Sequence, residues 1–258
     1  MDHVHDVLSN GGLGCRRLGT GRARSFGSAA EEYDASRPGY PIAAIDWSLG
    51  SDVDRVLDLA AGTGTLTRQL VARGLDVIAV EPDAAMRAVL RRRCPSVDVR
   101  EGLAEQVPLP DQAVDAVVVG QAWHWFDEAR AAPEIRRVLR PGGRLGVLWN
   151  LRRHTADWHD AFTRLLTADD TIHMPARQLS LGVEGERAHT MHVEWDDPVD
   201  VQGVVTLASS HSTLRVLPRE ARTRRLAQVE ELAMRAAEDG PLRLAYTTRC
   251  QRVDLPTR

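Results

Sequence analysis

The chain has 258 residues, 43% hydrophobic and 27% charged, enough to bury one large α/β core. A formal net charge of −3 offers no basic footprint for nucleic acid, and no apolar run approaches the roughly 20 residues that cross a bilayer. All 33 basic residues are arginine, which removes lysine Schiff bases and lysine general bases, and three dispersed cysteines (Cys15, Cys94, Cys250) suit neither a disulfide framework nor a zinc spacing.

Residues 1–24 carry glycine, arginine and serine without the apolar centre of a secretory signal, so they read as a mobile extension of a cytoplasmic protein. A single domain is expected over 25–258: a cap at 25–50, a ligand-binding core at 53–150, substrate-side inserts at 151–243 and a final strand at 244–255. After an apolar helix-like stretch from Pro41 to Leu49, short β-branched runs alternate with helical patterns, the signature of βαβ units and a parallel sheet. Strands are predicted at Arg55–Leu59, Asp76–Val80, Val97–Glu101, Val114–Gly120 and Arg144–Trp149. Helices are predicted near Thr65–Arg73, Ala84–Arg93 and Ala129–Leu139, the last stopped by Pro141 and turned by Gly142 and Gly143. Beyond Asn150 the chain becomes more polar, with helices near Asp157–Thr167, Val199–Ser209 and Pro218–Ala237 and late strands at Met191–Trp195 and Leu244–Val253. Residues 169–190 read as a lid.

The chemistry concentrates at the end of the first strand. Val56 to Gly64 is an apolar strand carrying one acid, Asp58, that runs into a glycine turn, where backbone can approach a nucleotide-like ligand. Gly62 and Gly64 are present, but the third glycine of the dinucleotide fingerprint is not, and a carboxylate beside the turn suits a cation better than a pyrophosphate. The second strand ends in Glu81 and Pro82, about 20 residues on, where an acid accepts hydrogen bonds from ribose hydroxyls. Glu81 is also placed to cap the helix that starts at Ala84, a role open equally to Asp83.

Four segments in order, VLDLAAGTGTLTRQL, VIAVEPDAAM, VREGLAEQVPLPDQAVDAVVVGQAWHWF and VLRPGGRLGVLWN, resemble the core of the class I S-adenosylmethionine-dependent methyltransferases. The flank from Phe26 to Pro41 is similar to the trans-aconitate methyltransferase branch. The resemblance implies a doubly wound, mostly parallel, Rossmann-like sheet of seven strands, one antiparallel, with helices on both faces and helical inserts over the carboxyl edge.

It also implies S-adenosyl-L-methionine as cofactor, a cation without phosphate. Asp58 then faces its amino group, directly or through water, or else orders the turn by bonding backbone amides. Ala60, Gly62 and Gly64 leave room for the methionine portion, Glu81 with Pro82 meets the ribose, and Met86 packs on adenine or belongs to the core. Gly102, Leu103 and Ala104 lie where relatives bind the adenine amino group; Leu103 replaces a frequent aspartate, so apolar contact and main-chain bonds are expected there, with the role of Glu105 open. At the end of the fourth strand Gln121, Ala122 and Trp123 are candidates for the cofactor, while Trp125 and Phe126 read as packing residues. His124 is the histidine best placed to act as a general base.

The resemblance places Tyr33, Arg37 and Tyr40 in a cap over the cofactor, where an aromatic ring near a sulfonium gives cation–π attraction, or else in a helix merely packed on the outside, with Arg37 equally able to pair with an acid or to hold a substrate carboxylate. His189 and His192 lack a third ligand of any zinc pattern. The expected reaction is methyl transfer to a small-molecule acceptor, with a carboxylate among the candidates and no nucleic-acid or membrane partner. A non-catalytic cofactor-binding regulator and an NAD-dependent oxidoreductase are the competing readings.

Overall fold

The computed structural model describes residues 37–166 and 179–257; the extension 1–24, Tyr33 and the first part of the expected lid lie outside them. Seven strands form one sheet: β1 Arg55–Leu59, β2 Asp76–Val80, β3 Asp98–Arg100, β4 Val114–Gly120, β5 Leu139–Arg152, β6 Arg187–Pro198 and β7 Arg243–Asp254. Their order is β3-β2-β1-β4-β5-β7-β6, and β7 runs antiparallel to both of its neighbours. The helices are α1 Ile42–Leu49, α2 Thr65–Val71, α3 Ala84–Arg93, α4 Glu128–Val138, α5 Asp157–Leu166, α6 Val201–Ser209, α7 Ser212–Arg215 and α8 Arg219–Glu238.

The central strands are apolar on both faces because helices cover both. Leu57, Leu59, Ile78, Val80, Val117 and Val119 face α4 through Ile135 and Val138, while Val56, Val77, Ala116 and Val118 face α1 and α2 through Ile45, Leu66 and Leu70. A third cluster, with Phe162, Leu166, Leu207, Val229 and Leu244, joins helices α5 to α8 to the start of β7. No helix among the described residues is long and apolar enough to cross a membrane.

One predicted boundary is corrected. The proline-glycine segment is not a free turn before a strand at Arg144; α4 stops at Val138, and β5 begins at once with Leu139. Leu139 pairs with Val114 and Arg144 with Ala116, so residues 140–143 bulge between two parts of one ladder, with Gly142 at φ 75°. Parallel pairing to β4 on either side outweighs the local turn preference.

Candidate active site

The carboxyl edge of β1, β2 and β4 brings together the residues predicted around the glycine turn. Asp58 is 1% exposed and its Oδ2 accepts the Thr67 hydroxyl at 2.5 Å. Burial raises its pKa to about 7 against the opposing Thr67 hydroxyl and amide, and the negative charge of Glu81 adds to the rise. Asp58 therefore ties β1 to the first turn of α2, close to the turn-ordering alternative.

Glu81 faces the same turn from β2. Its Oε2 accepts the Gly62 amide at 2.9 Å and its Oε1 the Asp83 amide at 2.9 Å. Burial raises its pKa, opposed by those two amides. Asp83, not Glu81, caps α3, accepting the Ala85 and Met86 amides at 2.9 and 3.0 Å. Arg87, overlooked in the sequence because it sits among apolar positions of α3, is buried and donates to the Glu81 carbonyl at 2.9 Å and to Glu101 at 2.7 Å.

The two glycines separate in role. A Cβ on Gly62 would meet only Met86 Sδ, at 3.9 Å, so this glycine keeps one side of the turn open. A Cβ on Gly64 would lie 3.0 Å from Leu90 Cγ, so this glycine also lets α3 pack against the turn. Ala60, at φ 59°, and Gln121, at φ 57°, hold left-handed backbone at the ends of adjacent strands, the kind of strain that clusters at functional sites.

Farther along the edge, Gly102 is explained by packing, since a Cβ would come within 2.6 Å of Pro108 Cδ. Leu103 is 51% exposed, its carbonyl accepting the Gln106 amide, whereas Ala104 is buried. Glu105 accepts the Asp127 amide at 2.8 Å and so tethers the loop after β4. Gln121 donates to the Asn150 carbonyl at 3.1 Å. The aromatic run divides differently from the prediction: Trp123 is 1% exposed, its ring packed 5.5 Å from Phe126 and bonded through Nε1 to Glu128, while Trp125 is 39% exposed. His124 is exposed and lies 4.6 Å from the Trp125 ring, and partial desolvation lowers its pKa. Among the described residues no acid orients it.

The cap is fixed onto the sheet by groups distant in sequence. Gln69 bonds both the amide and the carbonyl of Tyr40, and the Tyr40 hydroxyl occupies the space above Gly120, where a Cβ would be 2.5 Å away. Trp195 Nε1 donates to Thr248 Oγ1 at 2.8 Å, Thr248 donates to Asn150 Oδ1 at 2.6 Å, and Asn150 Nδ2 donates to the Gly39 carbonyl at 2.9 Å. This chain ties β6, β7 and β5 to the segment that carries Arg37.

A parallel sheet with an antiparallel β7 between β5 and β6, and two buried carboxylates at the first glycine turn, define a Rossmann-like methyltransferase. The family model described as a methyltransferase domain matches residues 57–147. An uncharacterized methyltransferase of Mycobacterium tuberculosis is 43% identical over 235 residues, covering 90% of this chain and 96% of that protein. A putative type II methyltransferase from Anaeromyxobacter dehalogenans has TM-score 0.63 and 25% identity, covering 85% of this chain and 99% of that one. At 16% identity and TM-score 0.52, a Haemonchus contortus phosphoethanolamine N-methyltransferase solved with phosphomonomethylethanolamine and S-adenosylhomocysteine shares the fold, over 91% of this chain and 58% of that one. The chain belongs to the class I S-adenosylmethionine-dependent methyltransferase family. The oxidoreductase reading falls away with that assignment.

Proposed function

We propose that the protein binds S-adenosylmethionine across β1, β2 and β4 and directs its methyl group to a small-molecule acceptor, in the cytoplasm. The observation that carries this is the pair of buried carboxylates, Asp58 and Glu81, on either side of the Gly62 turn. Two acids repel a pyrophosphate and suit a ligand with an ammonium, a sulfonium and a ribose diol. The donor set fits: carboxylate oxygens have lone pairs beyond those given to the Gly62 and Asp83 amides, and the Gly62 face is open.

The donor supplies an activated methyl on sulfur. The chain's own residues supply binding and alignment. Glu81 would take the ribose hydroxyls, Asp58 would hold the ammonium end directly or through water, Gly62 would admit the methionine portion, and Gln121 with Ala122 would border it at the end of β4. Alignment of two reactants can remove about 7–11 kcal/mol of barrier, which leaves little for acid–base chemistry when the acceptor is already nucleophilic. Neither Tyr33 nor the other cap contacts are needed for this assignment.

The test is calorimetry with S-adenosylhomocysteine. Wild-type protein is expected to bind, and Glu81→Ala to weaken binding at least about tenfold through the lost charge-assisted bonds. Absence of binding by the wild type overturns the reading.

A further inference from the structure

The net charge of the chain is negative, yet one corner of the carboxyl edge is cationic. Arg152 ends β5 directly opposite Tyr246 of β7, and Tyr246 is in turn opposite Trp195 of β6, the two rings stacked at 5.1 Å. The Arg152 guanidinium lies 5.4 Å from the centroid of Phe162 on α5. Its neighbour Arg153 is paired with Glu194 at 2.7 Å and Asp196 at 3.7 Å, whereas no carboxylate among the described residues pairs with Arg152. A guanidinium held against an aromatic ring at a strand end, with no acid paired to it among the described residues, is a charge that the described chain does not neutralise.

The groups around it register the same field. His211, buried between α6 and α7, has its pKa lowered to about 3 by burial and then by the positive charges of Arg37 and Arg152. Burial takes the Tyr246 phenol up to about 12, against the pull of Arg152 and with the negative charge of Asp197 adding to the rise, so it stays a hydroxyl donor. Asp197 itself has its pKa raised by burial. The tautomer of His211 follows from its partner: the Thr213 hydroxyl donates its one proton to the Leu166 carbonyl, so it must accept from Nδ1 of His211, leaving Nε2 as the free acceptor.

We propose that Arg152, with Tyr246, forms a clamp for an oxyanion of the methyl acceptor, a carboxylate or a phosphate that anchors the molecule while another atom is methylated. The inference rests on the methyltransferase reading above and adds the acceptor's chemical class. At a strand spacing of about 4.8 Å, β5 lies roughly 10 Å across the edge from β1, and Arg152 stands four residues, about 13 Å, beyond Leu148, the partner of the last residue of β4, so the clamp rises above the edge over Gln121. The clamped group is the handle, because a carboxylate neutralised by guanidinium is a poor nucleophile; the methylated atom lies on the Gln121 side. Neutral His211, which feels the charge of Arg152, adds an acceptor nitrogen to the same corner.

The experiment saturates the protein with S-adenosylhomocysteine and titrates succinate, glycerol 3-phosphate and the uncharged control succinamide by calorimetry. One or both anions are expected to bind and succinamide not to; which anion binds identifies the handle. Arg152→Gln is expected to weaken the anion at least about tenfold, with S-adenosylhomocysteine affinity unchanged. Tyr246→Phe keeps the stacked ring, tests the clamp without altering Arg152, and is expected to weaken the anion by several-fold. Binding of neither anion, or equal binding by wild type and both variants, overturns the clamp. If S-adenosylhomocysteine fails to bind, the donor reading falls separately, and the same anion titrations on the protein alone still decide the clamp.

Discussion

One carboxylate of β2, Glu81, accepts both the Gly62 amide of the β1 turn and the Asp83 amide at the start of α3, each at 2.9 Å. It therefore fixes the turn as well as offering lone pairs to a ribose. Glu81→Ala leaves two amides without their acceptor, and each buried unsatisfied donor costs about 1–3 kcal/mol. Denaturant unfolding is expected to show a loss in that range or above, and Glu81→Gln a smaller one, since its amide oxygen still accepts. Unchanged stability in Glu81→Ala would contradict the structural role.

Asp58 imposes a pH dependence on stability. Its folded pKa of about 7 exceeds the ordinary 3.8, so between those values the folded protein holds a proton that the unfolded chain has released. Folding stability then falls as pH rises from 4 towards 7, by up to about 1.4 kcal/mol per pH unit from this group. Glu81 is shifted in the same direction. Asp58→Asn is expected to flatten the profile, read from urea unfolding midpoints at several pH values.

Donor binding carries the complementary signature. An ammonium beside Asp58 favours its ionised form, so S-adenosylhomocysteine binding below pH 7 should expel a proton and weaken as the pH drops. Calorimetry in two buffers of different ionisation enthalpy measures the proton directly. No proton release in the wild type, or the same release in Asp58→Asn, would show that Asp58 does not meet the ammonium.

The two turn glycines should respond differently to alanine. Gly62→Ala strains a φ of 60° but meets only Met86, so it is expected to cost about 1 kcal/mol of stability while abolishing most donor affinity. Gly64→Ala strains a φ of 91° and drives a methyl into Leu90, for about 1–3 kcal/mol or more. The pair separates ligand access from helix packing, with thermal unfolding and calorimetry as readouts.

Gly120 and Tyr40 form a testable steric couple. Gly120→Ala places a methyl 2.5 Å from the Tyr40 hydroxyl and is expected to destabilise by about 1–3 kcal/mol. Removing that oxygen with Tyr40→Phe should recover part of the loss, measured as the coupling in a double-mutant cycle. Additive effects would mean the cap does not rest on β4 as described.

Several of these relationships were visible in the linear chain and several were not. The bounds of β1, β2 and β4 follow from apolar runs ended by Gly, Pro or acid, and the observed strands carry the predicted residues. The aromatic run after Gly120 could not be divided in the same way. Trp123 is buried because Phe126 and Glu128 close around it in a turn, while Trp125 is left outside, and no periodicity distinguishes two tryptophans two residues apart. Glu105 and Arg87 acquired their roles only from partners in other elements.

The sequence by itself determined the alternation of strands and helices, the glycine turn with its acid, and the acid at the end of β2. Each is a local pattern whose physics operates within a few residues or along one strand. Only the tertiary structure decided that Gly64 packs beside α3, that Tyr40 sits on Gly120, and that Arg152 stands opposite Tyr246 with no acid paired to it among the described residues. Those outcomes depend on which segments the sheet places side by side. Arg152 and Tyr246 become neighbours because β7 returns antiparallel beside β5, a pairing of distant segments that short-range pattern does not encode.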